Sequence, residues 1–173
     1  DPVTGYEGRA AARLSAPQQV RVVNIAMLGR GDVVGTLRRD DGVGVWLAER
    51  LRAASLPVFN VEDVPESYLG EIRRTGRRNV IIMDAVAAGL EPGTVVFGPL
   101  EELGERPGLA THKPALSLCG RYLGALGQRT FLLGIAPGDL DFGNGLTAEV
   151  ERAAVRVRDL ILAACPPPLG DHP

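Results

Sequence analysis

The stretch Asn79-Val80-Ile81-Ile82-Met83-Asp84 decides the fold. Its unbroken apolar run predicts a strand buried on both faces, as in the centre of an α/β sheet. Asp84 closes that strand at its carboxyl end, where a carboxylate is costly without a partner. It reads either as a cap or salt-bridge acid at a strand end, or as a functional group.

Working outward, upstream and downstream segments alternate between strand and helix patterns. Val20 to Leu28 is rich in Val and Ile and runs into Gly29, which predicts a buried first strand ending in a sharp turn. From Gly42 to Ser55 the period changes: Val43, Leu47 and Leu51 recur at helical spacing and predict a core-facing helix. Asp40 and Asp41 stand at its start, where carboxylates suit the helix dipole. Pro57 to Val61 reads as a short strand, and Pro65 opens a helix to about Thr75 that Gly76 closes. Arg73-Arg74 and Arg77-Arg78 read as a solvated helix end. Downstream, Gly93 to Phe97 reads as a strand and Gly98 to His112 as a long connection without periodicity. A helix from about Pro114 to Leu126, a strand from Thr130 to Ile135 and a turn-rich loop from Asp139 to Gly145 follow. Thr147 is expected to cap the last helix, whose apolar stripe is Val150, Ala154, Val157, Ile161 and Ala164.

This alternation predicts a three-layer α/β/α domain. In such sheets, sites form beyond the carboxyl ends of the strands. The rule selects the loop after Leu28, Asp84, and the loop after Ile135.

Length and composition bound the function. The 173 residues suit one domain, expected over 20–165, with a flexible N-terminal extension over 1–19 and a proline-rich tail over 166–173. A formal net charge of −2 gives no global field for nucleic acid or an anionic membrane. The apolar runs are too short to span a bilayer. Cys119 and Cys165 form no CxxC pair and no disulfide framework, which fits a reducing cytoplasm. Cys119, set among Leu116, Leu118 and Leu123, reads as a small buried hydrophobe.

Three residues are candidates for chemistry: Asp84, Asp41 of the acid pair Asp40-Asp41, and His112, one of two histidines. Two carboxylates and an imidazole make a mixed O/N ligand set suited to zinc, nickel or another borderline divalent metal. Each also has a plain structural reading, as a cap or as a surface or satisfied core group.

The segments Asp40-Asp41-Gly42-Val43-Gly44-Val45 and Leu47-Ala48-Glu49-Arg50-Leu51 resemble the signature of the hydrogenase maturation endopeptidases. So do Val80-Ile81-Ile82-Met83-Asp84-Ala85, Thr111-His112 before a Pro-x-Leu-Ser helix, and Gly134-Ile135-Ala136-Pro137 with Leu140 to Thr147. The matches are in order and span roughly residues 20 to 165. The resemblance implies an α/β/α sandwich (phosphorylase/hydrolase-like) around a mixed, mostly parallel sheet of about five strands. It implies an aspartic-type endopeptidase of the cytoplasm that removes the C-terminal extension of a nickel–iron hydrogenase large-subunit precursor after nickel insertion. By motif, Asp41, Asp84 and His112 would contact the metal, and Asp41 and Asp84 would be the catalytic carboxylates. The nickel would come with the substrate, zinc or cadmium serving as surrogates. The metal could polarise the scissile carbonyl or position a water, or a carboxylate could act as general base.

The chain departs from that pattern in one place. Between Gly29 and Asp41 the loop is about three residues longer than the family's, and Asp32 stands where an Asn is usual. The same Gly29-Arg30-Gly31 run is a rival signal for a nucleotide-binding α/β domain. The spacing to Gly35 is one position too long, and the two acids would repel a pyrophosphate. A non-catalytic relative that senses nickel through the same residues is the other alternative.

Overall fold

A computed structural model describes residues 20–22, 39–56, 58–59, 65–74, 78–87, 89–104 and 114–165. The elements run β1 (Val20–Val22), α1 (Val43–Ala53), α2 (Leu69–Arg74), β2 (Asn79–Ala85), β3 (Val95–Pro99), α3 (Leu100–Gly104), α4 (Pro114–Ala125), β4 (Arg129–Ile135) and α5 (Ala148–Ala164). Short 3-10 turns, Arg39–Gly42 and Pro65–Tyr68, lead into α1 and α2. The described strands form one sheet in the order β1-β2-β4-β3. β1, β2 and β4 are parallel, and β3 joins β4 antiparallel. This is the mixed, mostly parallel sheet expected.

β2 has both faces covered, and the alternation of its side chains builds the three layers. Ile81 and Met83 enter one core with Val43, Leu47 and Leu51 of α1 and Val150, Ala154, Val157 and Ile161 of α5. Val80 and Ile82 enter the other core with Ile72 of α2, Leu100 and Leu103 of α3, and Leu116, Cys119 and Leu123 of α4. Cys119 is thus a buried hydrophobe, as its helical neighbours suggest. No described helix is long and apolar enough to cross a membrane.

α1 ends in a Schellman turn. The Ser55 N–H donates to the Arg52 carbonyl and the Leu56 N–H to the Leu51 carbonyl, which puts Ser55 at φ 63°. The Arg50 guanidinium lies 3.6 Å from the centre of the Trp46 ring, so the outer face of α1 covers its own aromatic.

Several local expectations need correction. The connection from Gly98 is not irregular: Gly98 and Pro99 finish β3, and α3 follows because Leu100 and Leu103 bury against α4 and the sheet. An element this short has too few turns to show a period. The strand placed at Gly93–Phe97 starts at Val95, since the chain turns at Gly93 with φ 81°. Val58 and Phe59 belong to no described strand; Pro57, Asn60 and Val61 lie outside the described residues. The helix opened by Pro65 begins as a 3-10 turn and becomes α-helical at Leu69. The two end segments, 1–19 and 166–173, also lie outside the described residues.

Candidate active site

Asp84 occupies the second-last position of β2 and pairs in register with Gly134 of β4. It is buried, with 4% of its surface exposed, and its Oδ1 accepts a hydrogen bond of 2.9 Å from the Ala85 N–H. A carboxylate at that depth is retained only when polar partners hold it. Gly134 makes room beside it. A Cβ there would lie 2.3 Å from Val86 Cγ2, so the chain just after Asp84 can close over β4 only because Gly134 has no side chain. The Val86 N–H then bonds to the Ile135 carbonyl and extends the parallel pairing past the strand ends.

The Arg39–Gly42 turn packs on β2 and brings Asp41 to this carboxyl edge. Asp41 is half-buried. Its neighbour Asp40 is fully buried, and its carboxylate faces the loop after β4. Asp40 Oδ2 accepts from the Gly138 N–H, the Asp139 N–H and the Thr147 hydroxyl, each at 2.8 Å. Oδ1 accepts from the Thr147 N–H at 2.7 Å. An ionised carboxylate is acceptor-only, and here it meets three N–H donors and one O–H donor. The backbone repeats the tie: Arg39 N–H donates to the Asp141 carbonyl and Asp40 N–H to the Asp139 carbonyl.

Arg39 adds a partly exposed ion pair, with Nη1 2.6 Å from Asp139 Oδ2. The other Asp139 oxygen accepts from the Asp141 N–H at 2.8 Å. That backbone bond and then the Arg39 guanidinium hold the Asp139 carboxyl below the usual carboxylate range. Asp139 in turn raises Arg39 above its ordinary value, through the hydrogen bond first and the charge second.

The acid pair therefore divides its work. Asp40 is a structural latch between the turn before α1 and the loop before α5, and Asp41 is left on the site side of that turn. Neither acid caps α1: its N-terminal position is held by Gly42 without a side-chain cap bond. Thr147 stands at the N-terminus of α5 as expected, but its hydroxyl does not cap the helix; it donates to Asp40. Asp40 and Thr147 are the functional-site residues that local reading misassigned. Their partnership spans 107 positions, and an Asp-Asp pair before a helix gives the same local signal whether or not such a partner exists.

Of the sites selected by the strand-end rule, Asp84 and the loop after Ile135 meet at one edge with Asp41. His112, Gly29, Gly31 and Asp32 lie outside the described residues. Among the described residues no three His, Cys, Asp or Glu side chains are grouped as metal ligands. His112 directly precedes Lys113 and α4.

This arrangement has close counterparts. The hydrogenase maturation protease family, HycI type, matches residues 47–164. The chain is 30% identical over 129 residues to the hydrogenase 3 maturation protease of Escherichia coli (strain K12), covering 72% of this chain and 82% of that one. Among solved structures, the NiFe hydrogenase maturation protease HycI of Thermococcus kodakarensis KOD1 superposes with a TM-score of 0.71 at 28% identity, over 90% of this chain and 97% of that one. The hydrogenase maturating endopeptidase HybD of E. coli, at 22% identity and a TM-score of 0.63 over 84% of this chain and 91% of that one, shares the fold. A buried strand-end carboxylate, a second acid on the turn before α1 and matches over most of the chain lead to one conclusion: this chain belongs to the hydrogenase maturation protease family and is a peptidase.

Proposed function

We propose that the chain removes the C-terminal extension of a nickel–iron hydrogenase large-subunit precursor once nickel is in place, reading that nickel through Asp41, Asp84 and His112. The observation that supports this best is the buried Asp84 at the carboxyl end of β2, with the turn bearing Asp41 packed against the same strand. The topology favours His112 as the third group. α4 joins β4 through a short turn at the amino end of the sheet, where Gln128 N–H bonds to the Leu123 carbonyl and Arg129 N–H to the Arg78 carbonyl. The start of α4, three residues or fewer from His112, therefore points toward the opposite, carboxyl edge. By strand alternation Asp84 stands on the α4 side of the sheet, with Val80 and Ile82.

In this reading the nickel belongs to the substrate, and zinc or cadmium would serve as surrogates in its absence. Carboxylate and imidazole donors suit such a borderline metal and leave positions for the substrate's own ligands. Water adds to the scissile carbonyl, forming the C–O bond. Asp41, half-buried and within reach of solvent, accepts its proton; a carboxylate has a second oxygen for the metal. The C–N bond then breaks and the proton passes to the leaving amine. Asp84, more deeply buried, fixes the metal's place rather than exchanging protons with water.

The test is processing of nickel-loaded precursor, read as release of the C-terminal peptide by mass spectrometry. Asp41→Asn, Asp84→Asn and His112→Ala should each slow release by about 100-fold or more, the usual loss when a positioned acid–base group is removed. Wild-type rates in Asp41→Asn and His112→Ala would refute the assignment.

A further inference from the structure

The loop between β4 and α5 is both anchored and apolar at its outer surface. Its start and end are tied to one buried carboxylate: Gly138 and Asp139 on one side of the loop, Thr147 on the other, all bonded to Asp40. Its middle is tied to Arg39, through Asp139 and through the Asp141 carbonyl. The Arg39 side chain also lies across Gly143, where an added Cβ would come within 2.9 Å of Arg39 Cγ. Yet this fixed loop turns Leu140 and Phe142 outward, 39% and 69% exposed. Phe142 is the most exposed large apolar residue among those described.

A loop free to move could fold such side chains inward; this one is held by hydrogen bonds that keep them out. Apolar groups presented rigidly at the rim of a site are the usual form of a docking surface, because little ordering entropy is lost when a partner covers them. The occupant follows from position. The loop is bonded to Arg39 and Asp40, directly adjoining Asp41, on the edge where Asp84 lies. A peptidase must hold its substrate chain in extended form next to the reacting carboxylates, and this is the apolar surface that adjoins them.

We infer that Leu140 and Phe142 form a docking site for an apolar side chain of the precursor segment flanking the scissile bond, and that the Asp40 latch sets its distance from Asp41. The inference rests on the peptidase reading proposed above. These two residues are specificity determinants: they touch the substrate chain away from the reacting atoms.

The experiment compares wild type, Phe142→Ser and Leu140→Ser/Phe142→Ser on nickel-loaded precursor at varied concentration, with cadmium titration of each free protein alongside. The expected result is a rise in KM of about 10-fold or more for the double variant, with kcat within about 2-fold and cadmium affinity unchanged. Both side chains are exposed, so the urea midpoint should stay where it is. A merely structural role would shift the urea midpoint and cadmium affinity together. An unchanged KM in the double variant overturns the docking site while the wild-type cleavage upholds the peptidase reading. A fall in kcat at constant KM also overturns it, because the residues would then act on the chemical step. If wild type itself leaves the precursor uncut, the proposed function fails and the docking site fails with it.

Discussion

The two adjacent acids should respond to substitution in opposite ways, and Asp40 gives the sharper result. Asp40→Ala removes the acceptor for three backbone N–H groups and one hydroxyl. The Thr147 hydroxyl can rotate to another partner, but the N–H groups cannot. Each donor left without an acceptor costs about 1–3 kcal/mol, and the half-exposed loop lets water recover part of that. At the low end of that range for each of the N–H groups, the loss is about 3 kcal/mol, a large share of an ordinary domain stability of about 5–15 kcal/mol. Asp40→Asn is milder. The amide oxygen keeps the crowded Oδ2 position, which leaves its NH2 group facing the Thr147 N–H, donor against donor, at about 1–3 kcal/mol. The assay is equilibrium urea unfolding. With a slope near 2 kcal/mol per molar, Asp40→Ala should lower the midpoint by roughly 1.5 M at unchanged slope. Asp41→Asn, half-buried and outside the latch, should stay within about 0.5 kcal/mol of wild type while losing processing. If Asp40→Ala falls within about 0.5 kcal/mol of wild type, the loop is held by other means and the division of labour between the acids is wrong.

Ser55 occupies the left-handed position of the turn ending α1, where glycine has no Cβ penalty. Ser55→Gly should raise stability by about 0.5–1 kcal/mol in the same urea assay. Gly134→Ala should cost about 1–3 kcal/mol through overlap with Val86, and pairing it with Val86→Ala should recover part of that loss in a double-mutant cycle. Asp139 has a depressed pKa in the fold, so its anchoring of the loop is fully present above its ordinary value of 3.8 and is lost as pH falls through the lower folded value. The stability difference between wild type and Asp139→Asn, followed by urea midpoints from pH 7 downward, should therefore shrink only below about pH 4.

The sequence by itself determined the layers. Hydrophobic period is a local property: the run Val80 to Met83 has to bury both faces, and the stripes of α1 and α5 have to face a core. Those demands fix the α/β/α order and place Asp84 at a strand end before any contact is known. Ordered motifs also made the family legible. Short elements were not legible, because α3 is about one turn long and shows no period. Which of Asp40 and Asp41 faces the site was not legible either. Side by side before a helix they look alike, and the sequence reading gave both the role of dipole partner. Only the tertiary structure separates them, by bringing Gly138, Asp139 and Thr147 across 98 to 107 positions onto Asp40. A hydrogen bond needs about 3 Å and a donor pointed at an acceptor. No local pattern encodes that meeting, whereas burial needs only a side chain on the right face.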